Sequence, residues 1–436
     1  MRISVIGTGY LGAVHAAGMA ELGYSVVGVD VDATKVAALG EGRALFYEPD
    51  LDPLLRKHVE SGRLRFSTDF ADAADADVHF LCVGTPQRQD GLAADMSFVD
   101  AAVEALAPHL ARPCLVVGKS TVPVGSAHRL AERIATVAPA GGDAELAWNP
   151  EFLREGYAVE DTLNPDRLVF GVRSERAEHI LREVYASAIA TGTPVVVTDF
   201  PTAELVKVSA NAFLATKISF INAIAEICEV TGADVTKLAD AIGHDGRIGR
   251  RFLNAGLGFG GGCLPKDIRA FMARAGEIGA AHALTFLAEV DAINVRRRER
   301  VAEIAQEVLG GSIAGRRVAV LGAAFKPHSD DIRDSPALTV AGRLHLQGAR
   351  VTVYDPKAIE NARRSFPTLR YADSTIGACR DAEVVLHLTE WPEFREVDPA
   401  VLGSVVARRN VVDGRNCLDA DSWRAAGWSY RGLGRP

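Results

Sequence analysis

No two of the six cysteines, Cys82, Cys114, Cys228, Cys263, Cys379 and Cys417, stand in a CxxC pair. That scatter fits reduced thiols better than a disulfide framework or a zinc site. No stretch approaches the ~18 uninterrupted apolar residues that a membrane helix needs. The opening "MRISVIGTGYLG" shows no secretory signal, because glycines interrupt its apolar run. There is no excess of positive charge either. The formal net charge is −8, which argues against a general binder of nucleic-acid backbones but leaves room for a local basic pocket. Low-complexity tracts are absent. These absences predict a cytoplasmic globular protein with no resident metal and no business with nucleic acid or membrane.

What is present is an ordinary globular composition, 48% hydrophobic and 24% charged, over 436 residues. At roughly 100–200 residues per domain, two or three domains are expected. The first stretch reads strand, glycine turn, helix, strand: "RISVIG", then "YLGAVHAAGMAELG" ending at Gly23, then "SVVGVD" ending at Asp30. Further strand-like runs fall at 77–83, 114–120, 145–150 and 167–172. Strands alternating with helical stretches predict a parallel, doubly wound α/β sheet to about residue 200. From Thr202 to Val230 there is neither proline nor glycine, and apolar positions recur at helical spacing. A second helical block spans about 281–309. The α/β pattern then restarts, with strands at 316–325, 350–356, 382–389 and 410–416. The outline is two Rossmann-like doubly wound domains, 1–200 and 311–436, joined by a long central helix and a helical region, 201–310. "GAAFKP" lacks the later glycines of a dinucleotide turn, so the second sheet is expected to serve a different ligand.

Five motifs carry chemistry. Gly7, Gly9 and Gly12 form a GxGxxG between a strand and a helix, with Asp30 ending the next strand. The glycines permit a tight turn and close approach of a pyrophosphate to a helix N-terminus. Asp30 would accept a ribose diol and repel a 2′-phosphate, which favours NAD. "CVGTP" and "KSTVPVG" end two more strands, where ligands of such sheets bind. Their Thr85, Pro86, Ser120 and Thr121 either reach the cofactor or cap loops. In "NPEFLREGYAVED", Glu151 and Glu155 would share one helical face if the segment is helical. Lys207 and Asn211 stand four apart on the long helix. They suit oxyanion stabilisation, although spacing alone favours a snorkelling surface lysine. Finally, "GFGGGCLPKD" puts one thiol, Cys263, at the end of a glycine run, with Lys266 and Asp267 behind it. A thiolate beside a cation or a helix N-terminus is a strong nucleophile.

Taken together, "GTGYLG", "GTP", "KSTVPVG", "NPEFLREG", "KVSANAFLATKISFIN", "RIGRRFLNAGLGFGGGCLPKD" and "FKPHSDDIRDSP" resemble the nucleotide-sugar dehydrogenases, in particular their UDP-glucose 6-dehydrogenase branch, over essentially the whole chain. The resemblance implies a four-electron oxidation of a sugar 6-hydroxyl to a carboxylate with two NAD. Cys263 would hold a thiohemiacetal and then a thioester. It implies that Lys207 and Asn211 stabilise the oxyanion and that Asp267 serves water and proton transfer. Thr121 and Glu151 would hold the catalytic water, with Glu151 a candidate general base. It implies cofactor contacts from Gly7, Gly9, Tyr10, Leu11, Gly12, Asp30, Lys35, Thr85, Pro86, Ser120, Thr121, Glu155 and Lys266, and from Arg333 toward a neighbouring subunit's NAD. It implies substrate contacts from Glu151, Phe152, Leu153, Arg154, Lys207, Asn211, Phe252, Gly260, Phe325, Lys326 and Arg415, with Arg247 supplied by a partner subunit. A homodimer or larger assembly of one chain is implied as well. Gly262 and Leu264 depart from many relatives and leave the sugar open among UDP-glucose, GDP-mannose, UDP-N-acetylmannosamine and UDP-N-acetylglucosamine.

Two other classes stand against this. A single-step NAD-dependent hydroxyacid dehydrogenase would use the first domain but leave Cys263 and the last domain idle. An NAD-binding redox regulator would use Cys263 as a sensor, yet sequence shows no resolving partner.

Overall fold

The computed structural model describes residues 1–435, which cluster into two compact units: Met1–Ala210 with Ala273–Gly279, and Asn211–Met272 with Ala280 onward. The first is built on eight short strands: β1 (Arg2–Ile6), β2 (Ser25–Val29), β3 (Leu64–Ser67), β4 (Val78–Leu81), β5 (Cys114–Gly118), β6 (Ala144–Trp148), β7 (Leu168–Gly171) and β8 (Val195–Thr198). Their order is β3-β2-β1-β4-β5-β6-β7-β8. Every residue of β4 and β5 is buried, as expected of parallel strands covered by helices on both faces. One core holds Ile3, Val5, Phe80 and Leu115 on one face; another holds Ile6, Leu81, Val116 and Trp148 on the other.

The sequence pattern predicts a parallel sheet, but the sheet is not wholly parallel. β7 runs antiparallel to β6, paired at Trp148 and Gly171. The connection between them contains only the six-residue helix Ala158–Leu163. It turns β7 back alongside β6 instead of carrying it across the sheet face as a full crossover helix does. Strands β3 and β8 escape the sequence reading because one is interrupted by Arg65 and the other is a short, half-exposed edge.

The second unit repeats the plan with β9 (Arg317–Leu321), β10 (Arg350–Tyr354), β11 (Arg370–Tyr371), β12 (Val384–His387), β13 (Asn410–Asp413) and β14 (Ser429–Gly432). The order is β11-β10-β9-β12-β13-β14, and all pairs are parallel. In both sheets the strand order reverses beside the first strand, between β1 and β4 and between β9 and β12. That reversal opens a crevice at the strands' carboxyl ends.

The central helix runs Phe200–Thr231, 32 residues and about 48 Å at 1.5 Å per residue. A second long helix is Thr285–Val308. A third, Leu264–Glu277, starts directly after Cys263. Among the described residues no helix is long and apolar enough to cross a membrane.

Candidate active site

The first unit offers a dinucleotide turn. Gly7 adopts φ +85°, and its N–H donates to Val29 O at 2.8 Å. A Cβ at Gly12 would lie 1.8 Å from Gly7 O, whereas one at Gly9 would meet nothing within 4 Å. The turn thus packs tightly inward and is open at Gly9. There the helix Tyr10–Glu21 begins without a side-chain cap, so its first N–H groups and its dipole are available to a pyrophosphate.

Asp30, just past β2, is 6% exposed. Its carboxylate accepts Thr8 N at 2.8 Å and Asp32 N at 3.0 Å, and pairs with Lys35 Nζ at 3.3 Å. Burial alone would raise its pKa, but those backbone N–H groups and Lys35 outweigh it and hold the carboxyl below its ordinary value. An ionised, fixed carboxylate at this place suits a ribose diol. The open glycine turn, the uncapped helix start and this acid therefore fit NAD. Asp355, at the matching place after β10, is spent otherwise: its oxygens accept Ala323 N, Ala324 N, Lys357 N, Ala358 N and Trp391 Nε1.

Around the turn, Thr85 donates its hydroxyl to Thr121 O at 2.7 Å and Ser120 to Val83 O at 2.6 Å. These hydroxyls brace the strand ends, the capping role sequence left open. Pro86 is exposed and Leu11 half-buried. Tyr10 donates to Glu48, which also accepts Gly156 N at 2.6 Å and Ala158 N at 2.7 Å. Burial, with Glu48 beside it, pushes the Tyr10 phenol far up. Glu48 thereby caps the helix Ala158–Leu163 from 110 residues away, a role no local pattern announces.

Residues 149–155 are not helical, so Glu151 and Glu155 share no helical face. The Glu151 carboxylate itself accepts Leu153 N at 2.7 Å, a local turn that competes with helix formation. Arg154 forks onto Asp161, and Phe152 lies 3.7 Å under the Arg167 guanidinium. Glu151 Oε1 meets Lys207 Nζ at 2.9 Å, and both side chains are largely buried. Lys207 is therefore no snorkelling surface lysine. Burial would raise the pKa of Glu151, but Lys207 overrides it and lowers it.

The second unit holds the thiol singled out by the sequence. Cys263 is exposed, and its carbonyl accepts Asp267 N at 2.9 Å. That places the thiol at the start of a 14-residue helix, where the dipole favours a thiolate. Asp267 is buried; Lys266 Nζ lies 2.5 Å from its Oδ1 and Asn211 Nδ2 donates to its Oδ2 at 2.7 Å.

The glycines before Cys263 face the loop after β9. A Cβ at Gly260 would lie 2.3 Å from Asp334 O, at Gly261 2.8 Å from the Phe325 ring, and at Gly262 2.2 Å from the Arg333 guanidinium. Gly261 N also donates to Arg333 O at 2.8 Å. Arg415 clasps the same region, donating to Gly258 O, Phe325 O and Leu388 O and pairing with Glu390. From the helix Thr285–Val308, Asn294 brackets Phe259 through both its N–H and its carbonyl, and Arg298 donates to Phe259 O. Asn294, Arg297 and Arg298 are buried and were silent in sequence, hidden in an apparently charged helix. Arg333 also forks onto Asp331. Lys326 lies over the Phe325 ring. Phe252 is exposed with φ 66°, and the Arg247 side chain is 91% exposed and paired with Asp245 in the same turn.

One further cluster, His387, Asp413 and Cys417, brings its polar atoms within 4.8 Å of one another. Asp413 there already accepts Arg415 N, Leu418 N and Tyr430 OH, which marks it as the brace of the turn after β13.

An NAD turn on one sheet, a second sheet whose matching acid is consumed largely by backbone, and a thiol at a helix start fit an NAD-dependent oxidoreductase. The UDP-glucose/GDP-mannose dehydrogenase family models match in series: the NAD binding domain at residues 1–189, the central domain at 201–296 and the UDP binding domain at 319–420. The chain belongs to that family. It is 43% identical to a UDP-glucose 6-dehydrogenase of Rhizobium meliloti, with all of both chains covered, and 41% identical to UDP-glucose 6-dehydrogenase TuaD of Bacillus subtilis, covering all of this chain and 93% of that one. Among solved structures it is similar to a UDP-glucose dehydrogenase of Pyrobaculum islandicum (TM-score 0.90, 39% identity, 100% and 98% covered). It is also similar to a UDP-D-ManNAc dehydrogenase of Pyrococcus horikoshii (TM-score 0.87, 28% identity, 100% and 99% covered).

Proposed function

We propose that the chain oxidises UDP-glucose to UDP-glucuronate in the cytoplasm, with residues 1–200 holding NAD, 201–310 carrying catalysis and dimerisation, and 311–436 holding the nucleotide. The observation that carries it is the exposed Cys263 thiol at a helix start with Asp267 one turn on. NAD, when bound, supplies a hydride acceptor for each of two oxidations. In the first, the C6 hydroxyl gives its proton, through the water held by Thr121, to the Glu151 carboxylate, and C6 loses its hydride to the acceptor, leaving an aldehyde. The Cys263 thiolate then adds to C6, a C–S bond forms, and the carbonyl electron pair moves to oxygen. Lys207 and Asn211 stabilise that oxyanion. Loss of the second hydride leaves a thioester on Cys263. Water oriented by Thr121 and Glu151, with Asp267 taking its proton, attacks the carbonyl. The C–S bond breaks with its electron pair returning to sulfur, and the carboxylate is released.

Gly7, Gly9, Tyr10, Leu11, Gly12, Asp30, Lys35, Thr85, Pro86, Ser120, Glu155 and Lys266 are assigned to the cofactor. Phe152, Leu153, Arg154, Phe252, Gly260, Phe325, Lys326 and Arg415 are assigned to the nucleotide sugar. Arg333 and Arg247 are assigned to sites of a second subunit. For the dimer we assign the central helix, where Phe213, Phe220 and Ile227 stand seven apart and are each more than half exposed. An apolar stripe at that spacing suits a helix of a second copy. The test is a panel of UDP-glucose, GDP-mannose, UDP-N-acetylmannosamine and UDP-N-acetylglucosamine followed by NADH absorbance. UDP-glucose should give the highest kcat/KM; a higher value for another sugar would reassign the substrate.

A further inference from the structure

Lys119 opens the "KSTVPVG" stretch, yet the chemistry above gives it no part. It follows β5 and is 6% exposed. Its ammonium donates to Asn149 Oδ1 at 2.9 Å, to Asn149 O at 3.4 Å and to Tyr185 OH at 3.2 Å. Tyr185 OH also donates to Asn149 Oδ1 at 2.7 Å, and Asn149 Nδ2 donates to Val169 O at 3.0 Å. The Phe80 and Tyr185 rings lie 5.8 and 5.7 Å from the ammonium. Every acceptor it touches is neutral. Among the described residues it makes no ion pair, so a full charge is buried without a direct counter-charge. Burial of that kind is costly. Asn149 and Tyr185 already bond to each other, so a neutral side chain of the same length would leave the fold satisfied at lower cost.

The charge has one carboxylate in its field. Lys119, Asn149, Tyr185 and Glu151 line one pocket at the end of β6. Asn149 is two residues from Glu151. The remaining titratable groups facing the ammonium are His15 of the first helix, Cys82 after β4, Tyr185, and Lys207 of the central helix. His15 and Tyr185 are held neutral by burial, and the Cys82 thiol is pushed up to about 12. Glu151 therefore feels two cations, Lys207 in direct contact and Lys119 across the shared pocket.

We propose that Lys119 is a positioning residue for the reaction: its buried ammonium fixes Asn149, and so the segment that carries Glu151, and it supplies part of the positive potential that keeps Glu151 ionised when Lys207 turns to the substrate oxyanion. The proposal rests on the assignment of Glu151 above. Burial also lowers the pKa of Lys119, to about 8, so the charge is present below that pH and fades above it.

The test compares the wild-type chain with Lys119→Met and Lys119→Gln, each checked for NAD binding and unfolding midpoint. kcat and KM for UDP-glucose are measured from pH 6.5 to 9.5. Both variants should lose roughly tenfold in kcat at pH 7 with KM little changed, the scale of a misplaced catalytic group. The wild-type to variant ratio should shrink toward one as pH rises past about 8. Lys119→Gln separates charge from hydrogen bonding, since it can still donate to Asn149. A ratio independent of pH, or wild-type kcat in Lys119→Gln, overturns the proposal. Glu151→Gln is run alongside. Full activity in that variant would overturn the Glu151 assignment itself, whereas an impaired Glu151→Gln beside a flat Lys119 ratio overturns only the role of Lys119.

Discussion

Lys207 and Glu151 form a buried pair, and breaking it from either side strands a charge. Lys207→Ala should cost about 3 kcal/mol of stability as well as activity. Adding Glu151→Gln should restore much of the stability and none of the activity. A urea midpoint unchanged by Lys207→Ala would show that the pair is not formed in solution. The sign of its pH dependence follows from the lowered pKa of Glu151: stability from the pair is present above the ordinary carboxylate range and is lost as pH falls through the lowered value. Asp30 gives a second residue-scale expectation. Asp30→Ala removes a carboxylate that braces Thr8 and that is proposed to hold the ribose, and NAD should bind roughly tenfold or more weakly. Equal affinity by fluorescence titration would remove Asp30 from the cofactor site. The places of Asp30 just past a strand and of Cys263 before a helix were legible because each is marked by its immediate neighbours. The burial of Lys207 was not, because its partner lies 56 positions away and spacing on a helix does not reveal which face is covered.

At the scale of elements, the glycine run 260–262 serves the loop after β9. The structure sets a carbonyl, a ring and a guanidinium against these glycines in turn. Gly261→Ala should be the harshest change, since Gly261 has φ +83° as well as the Phe325 ring beside it. A loss of about 2 kcal/mol or more is expected from the two effects together. Phe325→Ala in the same chain should relieve only the steric part. If Gly261→Ala unfolds at the wild-type denaturant midpoint, the packing described here is wrong. Most strands and the long helices were readable because periodicity is local. The turn of β7 against β6 was not, because strand direction is decided by the connection, and the short helix within it is capped by the distant Glu48. The "NPEFLREG" segment reads as a helix start, yet its own carboxylate closes a turn that sets Glu151 toward Lys207.

For the whole molecule, two sheets of the same plan take different ligands because their turns differ in chemistry. The first keeps an open glycine turn beside an acid paired with Lys35, while the second spends its acid on five donors. Phe220→Glu should convert a dimer to a monomer in size-exclusion chromatography, since it places a charge in the middle of the exposed stripe; an unchanged elution volume would move the interface elsewhere. The central claim is that one chain performs both oxidations through Cys263. It is tested most directly by limiting UDP-glucose with excess NAD and counting product. The account predicts two NADH and one UDP-glucuronate per sugar, with no acid formed by Cys263→Ala. One NADH per sugar, or acid formation without the thiol, would contradict it.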